Sequence, residues 1–349
     1  MYLKIVLIKA RAIGWLSRTL GQGNGVVIAG KFILKFAPNA VSKLAASKRV
    51  VLVSGTNGKS TTSKLIAEAL RTKFTVAHNH TGANMFNGIA AALGADPKAE
   101  VAVLEVDELV LPWAIEKTKP ELVVLLNLGR DQLDRLSEVR IVSNKWRNAI
   151  DSSQDSKLKI LASTDDPFVA FAAEGAKSKI WFSASESGHI DAATCPKCGE
   201  LLNWSKDGSD YSCKCGFKKP KADWILSGDQ LGQSDLNIKV KSSIPGKAAL
   251  QNAARALIVA NEFGVDMALA NEAIYKVKSV DGRFDVKEIG KTKFRLLLSK
   301  NPASWRETLT TSSAANVLLM VNANTQDGKD TSWLWDVDFK PLIGRDVLV

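Results

Sequence analysis

The chain has 349 residues, 46% of them hydrophobic, with a formal net charge of +11 and a pI near 9.4. That length suits two or three domains, and the composition supplies sizeable cores, which sets aside a chain too polar to fold. The positive charge suits nucleic acid, an anionic membrane surface or a phosphorylated substrate without choosing among them; apart from Lys48-Arg49 and Lys218-Lys219 the basic residues are scattered.

The opening stretch, Met1 to Leu20, is apolar but broken by Lys4, Lys9, Arg11 and Arg18. It never reaches the roughly 20 residues that a membrane span needs. No small-residue cleavage site follows it, so a signal peptide is not expected. The pattern predicts an amphipathic helix packed on the next domain, with membrane-surface contact as the lesser alternative.

The stretch from Val50 to Thr62 organises the rest of the chain. Val50 to Val53 is an apolar strand, then Gly55-Thr56-Asn57-Gly58-Lys59-Ser60-Thr61 turns into a helix with Leu65, Ile66, Ala69 and Leu70 on one face. Gly55 and Gly58 let backbone N–H groups approach phosphate oxygens, Lys59 brings a charge to the terminal phosphates, and Ser60 offers a hydroxyl to Mg²⁺. The common G-x-x-x-x-G-K-[ST] spacing is not met, because its first glycine would fall on Val53.

Further apolar runs alternate with helical patterns. Strands are predicted at 74–77, 101–106, 122–127 and 159–162, with helices at 87–93 and 141–150. Continuous apolar strands separated by helices mean a parallel sheet covered on both faces, with ligands at the carboxyl ends of its strands. Glu105, Asn127 and the phosphate loop all fall there, and carboxylates at the end of the strand Val101–Val106 would face Mg²⁺. The pattern breaks near residue 190. Cys195-Pro196-Lys197-Cys198-Gly199 and Cys213-Lys214-Cys215-Gly216 read as two knuckles of a zinc ribbon with four thiolate ligands, the second pair tighter than usual. All four cysteines lie there, beside a nucleotide loop and without an export signal, which argues for metal in a reducing cytoplasm rather than a disulfide. A helix is predicted from Ala248 to Phe263, and Asp281-Gly282-Arg283-Phe284 looks like a domain junction. Strands come next at 294–299 and 317–322, then a polar loop from Asn324 to Asp330. Thr331 to Phe339 alternates like a strand, with Trp333, Trp335 and Val337 on one side and Leu334, Asp336 and Asp338 on the other. The chain stops at Asp346-Val347-Leu348-Val349, which reads as the start of a strand in a domain cut short.

The G-T-N-G-K-S-T form, the carboxylates after Val103-Leu104, "NLGRDQLDR" (residues 127–135), Pro245-Gly246-Lys247 with Asn252, and Gly282-Arg283-Phe284 resemble, in that order, the Mur ligase superfamily. The cysteine ribbon, "NLGRDQLDR", "LSKNPASW" (298–305), "DTSWLWDVDF" (330–339) and the amino-terminal 23–45 stretch sharpen the resemblance to its MurT branch, the Mur-ligase-like subunits of lipid II isoglutaminyl synthases. The fold this implies is α/β: a Mur-ligase central domain with a parallel sheet and phosphate loop over 46–280, an inserted four-cysteine zinc ribbon at 193–220, a helical segment at 1–45 and an incomplete α/β carboxyl-terminal domain at 281–349. The function it implies is ATP-dependent amidation of the D-glutamate α-carboxylate of the lipid II stem through an acyl phosphate. Ammonia would come from a GatD-like glutaminase partner, at the cytoplasmic membrane face and with no role for nucleic acid. By position in the family pattern, Ser60 and Glu105 would hold Mg²⁺ and Asn252 would face adenine. Arg283 and Lys300 would reach ATP from the last domain, and Thr81 and Asn84 would lie near the phosphates. Asp336, with Asp338 and Asp330 behind it, would orient the glutaminase histidine. Asp131-Gln132 departs from the Asp-His that amino-acid-adding ligases often carry, and Lys145 is the nearest candidate for their carbamylated lysine. An amino-acid-adding or folylpolyglutamate-synthase-like ligase is the rival enzyme reading; a zinc-ribbon nucleic-acid binder is the non-enzymatic one.

Overall fold

Residues 1–130, 139–153, 155–186, 188–189, 191–280, 284–312, 314–322 and 331–349 are described in the computed structural model. Three helices come first: α1 (Tyr2–Thr19), α2 (Val26–Phe36) and α3 (Ala40–Ala45). Strands and helices then alternate as β1 (Arg49–Ser54), α4 (Lys59–Arg71), β2 (Val76–His78), α5 (Phe86–Ala95), β3 (Val101–Glu105) and α6 (Leu111–Thr118). They continue as β4 (Leu122–Leu125), α7 (Val139–Asp151), β5 (Lys159–Ser163), α8 (Pro167–Ala173) and β6 (Ser178–Ser183). A short hairpin, β7 (Asn203–Trp204) and β8 (Tyr211–Ser212), precedes β9 (Trp224–Ser227), β10 (Gln230–Gln233) and β11 (Leu236–Lys239). Helices α9 (Lys247–Glu262) and α10 (Met267–Tyr275) complete this part. The last part has the hairpin β12 (Phe284–Ile289) and β13 (Thr292–Leu297), then α11 (Pro302–Thr311), β14 (Asn316–Leu318) and β15 (Asp346–Leu348).

The main sheet runs β11-β10-β9-β6-β5-β4-β1-β3-β2. It is parallel from β2 to β9, with an antiparallel edge of β10 and β11. Alternate residues of each strand enter two cores. Val50, Leu52, Ala102, Leu104, Val123 and Leu125 pack on one face under α1–α3 and α5–α8. Val51, Val53, Val101, Val103, Leu122 and Val124 pack on the other under α4, α9 and α10. Because both faces are covered, the strands read as continuous apolar runs. Strand order reverses around β1, whose neighbours are β3 and β4, and β1 feeds the phosphate loop at that switch point.

Two expectations about the last part change. Ser332–Asp336 is a 3₁₀ turn, not a strand, so the residues do not alternate across a sheet. Val337 is buried beside Trp305, Leu309 and Leu342, and Trp333 and Leu334 pack on the same small core, while Trp335 is 91% exposed. A short apolar–polar alternation cannot separate a tight turn from a strand when so few residues back it. The strand expected at 317–322 is shortened to Asn316–Leu318, paired parallel with Asp346–Leu348. Asp131–Asp134, Arg283, and the loop with Asn324 and Asp330 lie outside the described residues.

Candidate active site

The loop after β1 is held from three sides. Asn127, just past β4, clamps it: the Asn57 N–H donates to the Asn127 Oδ1 at 2.9 Å, the Asn127 Nδ2 donates to the Asn57 carbonyl at 3.0 Å, and the Thr56 N–H donates to the Asn127 carbonyl at 2.9 Å. The Thr56 hydroxyl bridges to Gly129. Gly58 sits at φ +88°, and a Cβ there would come 3.0 Å from the Asn252 Oδ1. Only glycine fits such a turn without pushing Asn252 aside. Asn252, on the second turn of α9, is buried. The Lys59 Nζ is also buried, donates to the Gly55 carbonyl at 2.5 Å and pairs with the Glu108 Oε1 at 3.1 Å.

Beside the start of α4 lies a cavity of about 260 Å³ lined by Ser60, Thr81, Asn84, Glu105, His78 and Leu298 among others. Glu105 is buried at the end of β3. Its strand end is fixed by Asn79, whose Oδ1 accepts from the Glu105 N–H at 2.8 Å and whose Nδ2 donates to the Glu105 carbonyl at 2.8 Å. The Asn84 amide donates to the Glu105 carboxylate at 3.3 Å. The buried Thr81 hydroxyl has no hydrogen-bond partner among the described residues. A buried carboxylate, an unmatched hydroxyl, the Ser60 hydroxyl and the open N–H groups of a helix start form a donor set that suits a hard, oxygen-ligated cation beside phosphate.

The carboxyl-terminal part closes over this loop. Asn301 caps α11 through a reciprocal bond with Ser304, and the Asn301 Nδ2 donates to the Asn57 Oδ1 at 3.1 Å. The Glu307 carboxylate accepts from the Ala248 N–H, at the start of α9, at 3.1 Å. Arg130 pairs with Asp191 at 2.6 Å and reaches Asp336 at 3.4 Å.

The four cysteine sulfurs of the inserted ribbon lie within 4.8 Å of one another, with Cys195–Cys215 at 3.8 Å and Cys198–Cys213 at 3.4 Å. A disulfide would require about 2.05 Å. Tetrahedral thiolates at about 2.3 Å from zinc stand about 3.8 Å apart, so the spacing is compatible with a shared metal. Both knuckles have one geometry: Gly199 and Gly216 each sit at φ +86°, and the Cys195 and Cys213 N–H groups each donate across the turn at 2.7 Å. The ribbon is anchored by Tyr211, Phe217 and Trp204 on the Phe171 side of α8, and by the Tyr211 hydroxyl on the Thr164 carbonyl at 3.0 Å. Lys219 pairs with the buried Asp165 at 2.8 Å, and His189 with the buried Asp166 at 3.2 Å. Asp166 also accepts from the Leu128 N–H, so the ribbon's base and the loop after β4 share one carboxylate.

Residues 53–260 match the Mur ligase middle domain and residues 298–348 the MurT ligase carboxyl-terminal domain. A MurT subunit of lipid II isoglutaminyl synthase (glutamine-hydrolyzing) from Staphylococcus aureus is 31% identical over 95% of this chain and 80% of its own length. This chain belongs to the MurT family of Mur ligases. The MurT subunit of Streptococcus pneumoniae is 29% identical over 93% of this chain and 78% of its own length. A pseudomurein peptide ligase type C from Methanothermus fervidus shares the fold at a TM-score of 0.65, 23% identity and 80% coverage of this chain. MurF ligase of Thermotoga maritima, in complex with ADP, does so at 0.55, 18% identity and 85% coverage. The chain spans 59% and 63% of those two structures.

Within this MurT-family chain, the structure brings Gly55 through Thr61, Asn84, Glu105 and Asn252 to one region and sets Asn301, next to Lys300, against it. Lys145 is exposed on α7, whereas its neighbour Trp146 is buried and donates to the Glu108 carbonyl at 2.8 Å. Asn79 and Asn301 are not singled out in the sequence, and Glu108 is singled out only as one of the carboxylates after Val103-Leu104. Of these, Asn301 was findable, since Asn-Pro followed by serine two residues on is a helix-start signal. Asn79 acts by fixing the Glu105 backbone and Glu108 by its ion pair with Lys59, and neither role leaves a local pattern of its own.

His78 forms one wall of the cavity, with its Nε2 3.1 Å from the Ser63 hydroxyl. Burial, reinforced by Arg71, His80 and Lys64, lowers its pKa to about 3. The unfolded chain takes up this proton below about pH 6.5 and the folded chain does not, so the contribution is full above that value and is lost towards pH 3. Thermal melts of His78→Gln should show a flatter fall in stability from pH 7 to pH 5, by up to about 1 kcal/mol per unit. An unchanged slope would mean that His78 is protonated in the fold. His189 works in the opposite sense: burial lowers its pKa, but Asp166 outweighs this and raises it, so its contribution is lost as pH rises.

Proposed function

We propose that this chain is the synthetase subunit of an ATP-dependent amidotransferase of peptidoglycan synthesis, converting the D-glutamate α-carboxylate of the lipid II stem to the amide. The observation that carries the reading is the buried Glu105 carboxylate, which shares one cavity with Ser60 and the start of α4 while Lys59 sits inside the loop. The chain is read as a helical segment 1–45, an ATP-binding domain 46–280 with its ribbon at 193–220, and a carboxyl-terminal domain 281–349. Mg²⁺, held by Ser60 and Glu105, would offset charge on the phosphates. The loop N–H groups and Lys59 bind the phosphates, Asn252 faces the adenine, and Thr81 and Asn84 border the terminal phosphate. Lys300, and by the family pattern Arg283, which lies outside the described residues, would reach the nucleotide from the last domain. The substrate carboxylate attacks the terminal phosphorus, ADP leaves, and the resulting acyl phosphate has the leaving group that a free carboxylate lacks. Ammonia attacks its carbonyl carbon, phosphate departs with the C–O bonding pair, and the nitrogen loses a proton. Zinc in the four-cysteine site is structural, since four thiolates leave no open position. The reading places the protein in the cytoplasm, where its lipid-linked substrate is met at the membrane face.

The partner is a GatD-like glutaminase that supplies ammonia, and Asp336 orients its catalytic histidine. Asp338 accepts from the Lys340 N–H at 3.0 Å and so serves its own turn, whereas Asp336, at the end of the 3₁₀ turn, is half exposed and is met only by the exposed Arg130 at 3.4 Å among the described residues. Co-purification of the chain with such a glutaminase, followed by amidation of lipid II, tests the whole reading. In that complex Asp336→Asn should abolish glutamine-dependent amidation and leave amidation with free ammonia intact. Normal glutaminase activity in the variant would remove Asp336 from the role.

A further inference from the structure

Helix α1 has two apolar faces. Val6, Leu7, Ala10 and Gly14 are buried. Ile5, Ile8, Ala12, Trp15 and Leu16 recur at spacings of three and four on the opposite side, and all five are exposed, Ile8 by 65% and Trp15 by 60%. The inner face is tied down. The Arg11 guanidinium donates to the Gly94 and Ala95 carbonyls at 3.0 and 2.9 Å, and Leu7 and Ile33 pack at Gly94. Helix α2 runs so close to α5 that a Cβ on Gly30 would lie 1.9 Å from the Asn87 carbonyl oxygen. The outer face is therefore carried on a rigid support, joined through α5 to the loop that lines the cavity.

The charge around it has one sign. Residues 1–45 contain seven Lys or Arg and no Asp or Glu; the first acidic residue of the chain is Glu68. Lys4, Lys9, Arg18, Lys31 and Lys35 lie on the same two helices, and α2 adds exposed Val27, Ile28 and Phe36. No helix among the described residues is long and apolar enough to cross a membrane. An exposed apolar stripe with a tryptophan, whose own helices carry cations and no acidic residue, is the pattern of a helix lying in the plane of an anionic bilayer.

We infer that the outer face of α1, with the cations of α2, docks this chain in-plane on an anionic phospholipid surface. The surface stands apart from the amidation reading, because plain phospholipid vesicles carry no peptide substrate. Co-sedimentation of the full chain with phosphatidylcholine vesicles, and with equimolar phosphatidylcholine–phosphatidylglycerol vesicles, tests it. Binding is expected to the anionic vesicles, at least about tenfold weaker to the neutral ones. The double substitution Ile8→Glu/Trp15→Glu should lower anionic binding about tenfold or more, with nucleotide binding and melting temperature unchanged. Lys4→Gln/Lys9→Gln/Arg18→Gln should weaken binding and flatten its salt dependence. Equal sedimentation with both vesicle types, or undiminished binding by the Ile8→Glu/Trp15→Glu chain, would overturn the inference. So would a vesicle-free dimer that this double substitution disperses, since the stripe would then be covered by a second copy.

Discussion

Lys59→Ala is expected to slow ATP turnover by roughly 30- to 1000-fold, which corresponds to about 2–4 kcal/mol of lost transition-state stabilisation. The lysine is the one cation held inside the phosphate loop among the described residues, 2.5 Å from the Gly55 carbonyl and 3.1 Å from Glu108. Charge that builds on a transferring phosphoryl group would lose that cation. The fold should survive. Lys59 lies at the first turn of α4, where alanine is well tolerated, and the Glu108 side chain left behind remains partly exposed to water. Steady-state ATP hydrolysis and a thermal melt, on the same preparation, decide the matter. Turnover within about threefold of the parent would remove Lys59 from phosphate binding.

If the ribbon holds the proposed zinc, its loss should have the largest effect on stability. The hairpin β7–β8 contributes two residues per strand, too few to hold the knuckles together alone. Cys195→Ser or Cys213→Ser, or chelation of the purified chain, should release Tyr211 and Phe217 from the side of α8, along with the Tyr211–Thr164 hydrogen bond. Burial of each aromatic contributes about 2–3 kcal/mol, so the melting temperature should fall by roughly 10 °C or more. Metal analysis should find one zinc per chain. Absence of zinc in protein purified without chelator would contradict the assignment, as would an unchanged melting temperature in both serine variants.

Much of the nucleotide loop and of the parallel sheet was legible in the sequence because both leave local marks. Doubly covered strands are unbroken apolar runs, and a phosphate loop must place glycines and a lysine at fixed spacing. The ribbon was legible for the same reason, two cysteine pairs each ending in glycine. The contacts that hold the site were not. The Asn301–Asn57 contact joins residues 244 positions apart. Asn79 gains its role only when β2 lies beside β3. The 3₁₀ turn at Ser332–Asp336 shows the opposite failure: a local alternation that looks like a strand is set instead by Val337 and Trp333 packing on Trp305 and its neighbours. The outer stripe of α1 was visible as apolar residues interrupted by cations, but which residues face outward depends on α2 and α5.

The most direct test of the central claim is nitrogen transfer to the lipid II stem by the chain in complex with the proposed glutaminase partner, supplied with ATP and either glutamine, free ammonium or free amino acids. The account predicts one amide formed at the D-glutamate α-carboxylate with glutamine or ammonium, release of ADP and phosphate in equal amount, and no product from the amino acids. Incorporation of an amino acid, or amide formation without ATP, would contradict it.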